Sequence, residues 1–236
     1  MSRVILLEMS GGATTTPLGL DRLWPESFGE HTDVRDRLVA TYADPARGYH
    51  DLQHLREVLD HVAQLAGPGI DRQAVVLAAW FHDAVYTVST SSTTPDGWFG
   101  EASDEERSAQ LAEHELGRTG VPKETVAEVA RLVRLTESHD PAGDDRNGQV
   151  LCDADLAILA ADPARYADYV AGVRREHTAL SDDQFAAGRA AVLRGLLARP
   201  AIFRTPTARA RWEEGARANI RAELSRLTGR PGRGSH

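Results

Sequence analysis

One cysteine, Cys152, occurs in 236 residues. No disulfide can form within the chain, and a cysteine-based zinc site is excluded. A reducing, cytoplasmic setting is the expectation. Lysine is as scarce: Lys123 stands alone, and the other basic residues are arginines. Positive charge is in deficit, with 27 Lys and Arg against 35 Asp and Glu, a formal net charge of −8. This argues against nucleic-acid binding by bulk charge. The acid is spread along the chain, so no acidic tail is implied. Long apolar runs are missing. Residues 74–81 end in the polar pair His82-Asp83 and are too few to cross a membrane. Val4-Ile5-Leu6-Leu7 is too short for a signal-peptide core. Alternating strand patterns and internal repeats are missing too.

What is present is helical periodicity. At 42% hydrophobic and 26% charged residues, the chain suits one soluble domain, with two small domains as the alternative. Residues 1–20, rich in Gly, Ser and Thr before Pro17, read as a flexible arm. Helices are expected at about 33–42, on the stripe Leu52, Leu55, Val58, Leu59 and Val62, and at about 71–85. Gly67-Pro68-Gly69 separates the last two. Residues 88–103, with Trp98 and Phe99, read as a loop able to act as a lid. Ser103 starts the next helix with a capping box, and Pro122 sits at the first turn of another, to about 137. Further helices are expected at 151–159, at 163–179 after Asp162, at 182–197 after Ser181, and at 206–227. The fold class is all-α, one domain of about nine helices over residues 21–228, with 229–236 as a polar tail. The amphipathic last helix suits packing on its own core or on a second copy, so a homo-oligomer stays open.

The metal-capable residues in order are His50, His54, His82, Asp83, His139, Asp153 and Asp155. His50 and His54 are four apart and share a helix face. His82 and Asp83 end a helix that is otherwise apolar, where unpaired charge is costly. Asp153 and Asp155 lie beside Leu156-Ala157-Ile158-Leu159. Imidazole and carboxylate together suit a divalent cation: Mn, Mg, Ni, Zn or Fe. His61 and His114 read as solvated helix faces. Glu105 is a candidate to hold a water at the cation, or else an acid favoured by the helix dipole. Arg47, Arg174 and Arg217 are candidates for substrate phosphate, or else helix-face ion pairs.

His54, then His82-Asp83, then Asp155 resembles the ordered set of the HD-domain superfamily of metal-dependent phosphohydrolases. The resemblance implies an all-α HD-type domain with His54, His82, Asp83 and Asp155 as metal ligands; Asp153 competes for the fourth place. Tyr49-His50-Asp51 with His54 is similar to a motif of cyclic-nucleotide phosphodiesterases, with Asp51 in place of an Asn, and by that analogy His50 is the proton donor. More narrowly, residues 24–224 resemble a bacterial group of predicted HD-type phosphohydrolases. Arg47-Gly48-Tyr49-His50, Asp104-Glu105-Glu106-Arg107-Ser108-Ala109, Val173-Arg174-Arg175-Glu176-His177, Gly188-Arg189, Glu213 and Asn219 carry that likeness. Asp104 and His177 depart from it, standing where Asn and Tyr are expected.

The implied function is hydrolysis of a phosphoester or phosphoanhydride, such as a nucleotide, by metal-activated water. Asp83 would orient the water or accept its proton. His50 or His139 would protonate the leaving oxygen, Glu105 would assist, and arginines would hold the remaining phosphate oxygens. Two rivals stand beside this: a metal-stabilised nucleotide-binding or regulatory module without turnover, and a di-iron oxygenase of the HD type. The oxygenase needs more histidine ligands between Asp83 and Asp155, and only His114 and His139 lie there.

Overall fold

The computed structural model describes residues 16–87 and 103–229. Among these are nine α-helices and no strand, the all-α architecture expected. They are α1 (Thr32–Tyr42), α2 (Leu52–Leu65), α3 (Arg72–Phe81), α4 (Asp104–Gly117), α5 (Lys123–Leu135), α6 (Arg146–Asp155), α7 (Pro163–Glu176), α8 (Asp182–Ala198) and α9 (Pro206–Thr228). Short 3₁₀ segments occupy Pro17–Leu23, Glu26–Phe28 and Leu156–Ala160.

α3 is the centre of the fold. Ala74, Val75, Leu77, Ala78, Ala79, Trp80 and Phe81 are all buried, and the helix packs on α2, α4, α5 and α6. An all-round apolar helix has no stable position except a core. Asp71 caps its start by accepting from the Ala74 N–H at 3.0 Å. Its end comes at Phe81 rather than near Val85. The Tyr42 hydroxyl donates to the Trp80 carbonyl and accepts from the Asp83 N–H, both at 3.2 Å. A buried phenol from α1 thereby meets groups that a continued helix would have satisfied itself.

Other boundaries move for local reasons. Residues 16–20, read as part of the arm, are packed on the fold: Leu20 is fully buried, and Arg56 donates to the Leu18 carbonyl. α6 begins at Arg146, earlier than its apolar run, because Asp145 accepts from the Gly148 N–H. It tightens to 3₁₀ geometry at Leu156, so the expected helix at 151–159 is two pieces. α4 and α8 start as expected, on Ser103 and on a full capping box at Ser181.

α7 approaches the start of α2 through two glycines. A Cβ on Gly172 would lie 2.6 Å from the Gly48 carbonyl oxygen, and one on Gly48 would lie 2.4 Å from the Gly172 oxygen. Both groups are backbone and cannot yield cheaply. Gly172→Ala is therefore expected to destabilise the fold by about 1–3 kcal/mol, read as a drop in the denaturation midpoint. An unchanged midpoint would show that this contact does not set the α7 position. Arg165 adds a two-point ion pair to Glu57 at 2.8 Å, again joining α7 to α2. Farther out, Arg189 pairs with Glu223 at 2.9 Å between α8 and α9. Trp98, Phe99 and the rest of the expected lid, and most of the expected tail, lie outside the described residues.

Candidate metal centre

α2, α3 and α6 meet at one point, and each delivers a polar group there. The Asp51 carboxylate caps α2 by accepting from the Gln53 and His54 N–H groups at 2.9 and 3.1 Å. Asn and Asp serve equally as N-caps, which accounts physically for an acid at this place. The cap fixes the first turn, from which His54 points inward. His82 follows the last residue of α3, and its Nδ1–H donates to the Ala79 carbonyl at 2.8 Å. That bond leaves Nε2 with its lone pair facing inward.

Four atoms converge. His54 Nε2 lies 3.1 Å from His82 Nε2 and 3.3 Å from both Asp83 Oδ2 and Asp155 Oδ1. His82 Nε2 lies 3.1 Å from Asp83 Oδ2 and 3.7 Å from Asp155 Oδ1. Ligands about 2.0–2.2 Å from one cation are spaced in this range. Asp83 Oδ2 is buried with no hydrogen-bond partner among the described residues. A buried carboxylate oxygen left without a bond is costly, and two imidazole nitrogens facing each other beside two carboxylates need a positive centre. Both observations fit a cation held by His54, His82, Asp83 and Asp155. His54, His82 and Asp155 satisfy the mutual spacing of a three-ligand metal site on their own.

The electrostatics agree. Burial alone would lower the His54 pKa, but the Asp155 and Asp83 carboxylates outweigh it and raise the value to about 9. His82 is likewise raised well above its ordinary value, against burial, chiefly by Asp83. Burial opposes charge on Asp83 and Asp155, yet the surrounding imidazoles hold both well below the usual carboxylate range. Without metal, protons on the imidazoles take the place of the missing positive charge.

His139 reaches the same carboxylate from the other side, with Nε2 2.6 Å from Asp155 Oδ2. It lies beyond the end of α5 with φ +48°, left-handed backbone unfavourable for a residue with a Cβ. Arg199 holds it there by donating to its carbonyl at 2.7 Å. His139→Gly is expected to be more stable than His139→Ala by about 1 kcal/mol, while both lose the contact with Asp155. Equal stabilities would show that the left-handed backbone costs nothing.

His50 sits just before α2. Its Nδ1–H donates to Glu176 Oε2 at 2.8 Å, and its ring stacks on Tyr86 with centroids 4.2 Å apart. Glu176 was not a sequence candidate. It is 1% exposed, and its Oε1 also accepts from the backbone N–H groups of Tyr49 and His50 at 2.7 and 2.9 Å. Burial disfavours its charge, but the His50 contact and these bonds lower its pKa to about 2. The signal was visible: Tyr166, Tyr169, Val173 and Glu176 share the buried face of α7, and an acid in such a stripe needs a partner.

His50, Glu105, His139 and Asp155 line one cleft of about 470 Å³. The three arginine candidates do not serve it as phosphate holders. Arg47 is buried and donates to the carbonyls of His50, Asp83 and Ala84. It ties the loop after α3 to the start of α2 and does not line the cleft. Arg174 donates to the His177 and Leu180 carbonyls and pairs with Asp182 beyond the end of α7. Arg217 pairs with Glu213 and donates to the Leu197 and Arg199 carbonyls. Asp153 turns away from the centre: its two oxygens accept from the Arg204 and Thr205 N–H groups, each at 2.7 Å. His61 is not a solvated helix-face residue, since its ring packs on Trp212 and its Nδ1 is buried. His114 is exposed beside Arg118. Of the two histidines open to a second iron, only His139 lines the cleft.

Residues 51–158 match the family model of the HD domain. The matched span holds all four converging residues and His139. His50, one residue before it, and Glu176 on α7 lie outside that span. No curated protein and no solved structure matches the chain. No described helix is long and apolar enough to cross a membrane.

Proposed function

We propose that the protein is a metal-dependent phosphohydrolase that attacks a phosphoester or phosphoanhydride, such as a nucleotide, with water. The reading rests above all on the convergence of His54, His82, Asp83 and Asp155, with the orphaned Asp83 oxygen among them, beside a cleft. His54, His82, Asp83 and Asp155 would hold a divalent cation, which would supply positive charge for phosphoryl oxygens and lower the pKa of water toward neutrality. Asp83 and Asp155, 16% and 14% exposed, are the edge of the quartet nearest solvent, while the imidazoles are sealed behind them. Asp83 orients the attacking water. As the water oxygen bonds to phosphorus, the bond to the leaving oxygen breaks and that oxygen takes a proton from His50. Glu176 keeps His50 in the tautomer with the proton on Nδ1 and stabilises the imidazolium. His139, bonded to Asp155, holds that carboxylate in place. The lone cysteine, which is buried and free, suits a cytoplasmic enzyme.

The test is hydrolysis of a panel of phosphate esters and anhydrides by protein stripped with chelator and reloaded with Mn, Mg, Ni, Zn or Fe. Turnover by at least one loaded form is expected, lost in Asp83→Ala. No turnover by any form, with metal tightly bound, would favour a module that binds without reaction.

A further inference from the structure

We infer that the substrate is a phosphomonoester of an uncharged, partly apolar group rather than a di- or triphosphate; this rests on the phosphohydrolase reading above. The first observation is the charge around the cleft. Two arginines line it, Arg189 and Arg199. Arg189 is matched by Glu223, with bonds at 2.9 and 3.2 Å. Arg199 donates to the His139 and Ser138 carbonyls, which leaves its charge without a described carboxylate partner. Opposing it, Glu105 and Glu137 also line the cleft. Asp83 and Asp155 already match the two charges of a divalent ion. One phosphoryl group therefore finds the ion and Arg199. A second or third would find no unmatched cation among the residues lining the cleft and would face two carboxylates.

The second observation is the apolar part of the lining. Leu156, Ile158, Val192 and Leu196 line the same cleft. Val192 is 59% exposed, one of two large apolar side chains so exposed among the described residues. Gly195, one turn along α8, leaves open space where a side chain would stand. An apolar leaving group of aryl or alkyl type fits against this part of the cleft while its phosphate meets the metal quartet, as ligand clefts combine apolar lining with few oriented polar groups.

Metal-loaded protein is assayed on 1-naphthylmethyl phosphate, whose leaving alcohol is about as acidic as methanol, and on methyl phosphate, ADP and ATP. Calorimetry then measures binding of naphthylmethylphosphonate, methylphosphonate and a methylene-bridged ATP analogue. The naphthylmethyl ester is expected to exceed both methyl phosphate and ATP in kcat/KM by about tenfold or more. Val192→Glu should erase its lead over methyl phosphate, and Glu137→Arg should narrow its lead over ATP. A preference for ADP or ATP, or a naphthyl-to-methyl ratio untouched by Val192→Glu, overturns the inference. If nothing is turned over but the naphthyl phosphonate still binds best, the hydrolase reading fails and the ligand class stands. If nothing is turned over and binding shows no such preference, both fall.

Discussion

Saturating divalent metal is expected to raise the melting temperature of the chelated protein by roughly 10 °C, and Asp83→Ala is expected to abolish that rise. A ligand at about a thousand times its Kd stabilises the folded state by about 4 kcal/mol, and a chain of this length gains about 2–4 °C per kcal/mol. Asp83 carries the prediction because its Oδ2 faces only the two imidazoles of the quartet, His82 at 3.1 Å and His54 at 3.3 Å; its loss removes a ligand without breaking a bond outside the quartet to that atom. The effect depends on pH, with a definite sign. In the metal-free protein His54 is raised to about 9 from 6.5. The folded state holds that proton more tightly than the unfolded chain, which contributes on the order of 3 kcal/mol below pH 6.5. The contribution fades as pH rises through about 9. A ligating imidazole must be unprotonated, so metal gains as the proton leaves. The interval between the loaded and chelated melting temperatures should widen from pH 6.5 to 9. An interval that stays constant, or a full metal shift in Asp83→Ala, would remove the cation from this quartet.

The parts of the site that were legible in the sequence are those carried on apolar helices. His54 sits beside the stripe of α2, and His82-Asp83 ends the apolar run of α3. There the hydrophobic period fixes which way a polar residue faces. Asp153 and Asp155 illustrate the limit. They flank one residue at the end of one helix, and only the loop before α9 shows that Asp153 is engaged by two backbone N–H groups. The arginines mark a second limit. A guanidinium that suits phosphate oxygens suits carbonyl oxygens at helix ends and loops equally well, and Arg47, Arg174 and Arg217 all found carbonyls. Composition cannot tell these uses apart; the positions of unsatisfied carbonyls in three dimensions can. The early start of α6 was hidden because Arg146-Asn147-Gly148 reads as loop until the Asp145 cap is seen. The partner of His50 lies 126 residues away, a pairing set by the close approach of Gly48 and Gly172 rather than by any local pattern.

That distant partner carries the second large effect. Glu176→Gln is expected to lower kcat by about 10²–10³-fold while leaving metal content and fold intact. The amide keeps the size and one acceptor oxygen, enough for the Tyr49 and His50 N–H groups. Its NH₂ cannot accept from His50 Nδ1–H, so the imidazole must rotate or change tautomer, and the proton for the leaving oxygen is misplaced. Glu176→Ala should do the same and in addition lower stability by roughly 3 kcal/mol, because two buried backbone N–H groups lose their acceptor. His50→Ala should cost kcat as much as Glu176→Gln, and the double variant little more, since both act through one imidazole. Two additive losses would mean that Glu176 does not act through His50. A Glu176→Gln enzyme with full kcat would leave His50 without its role, and the proton would have to come from His139.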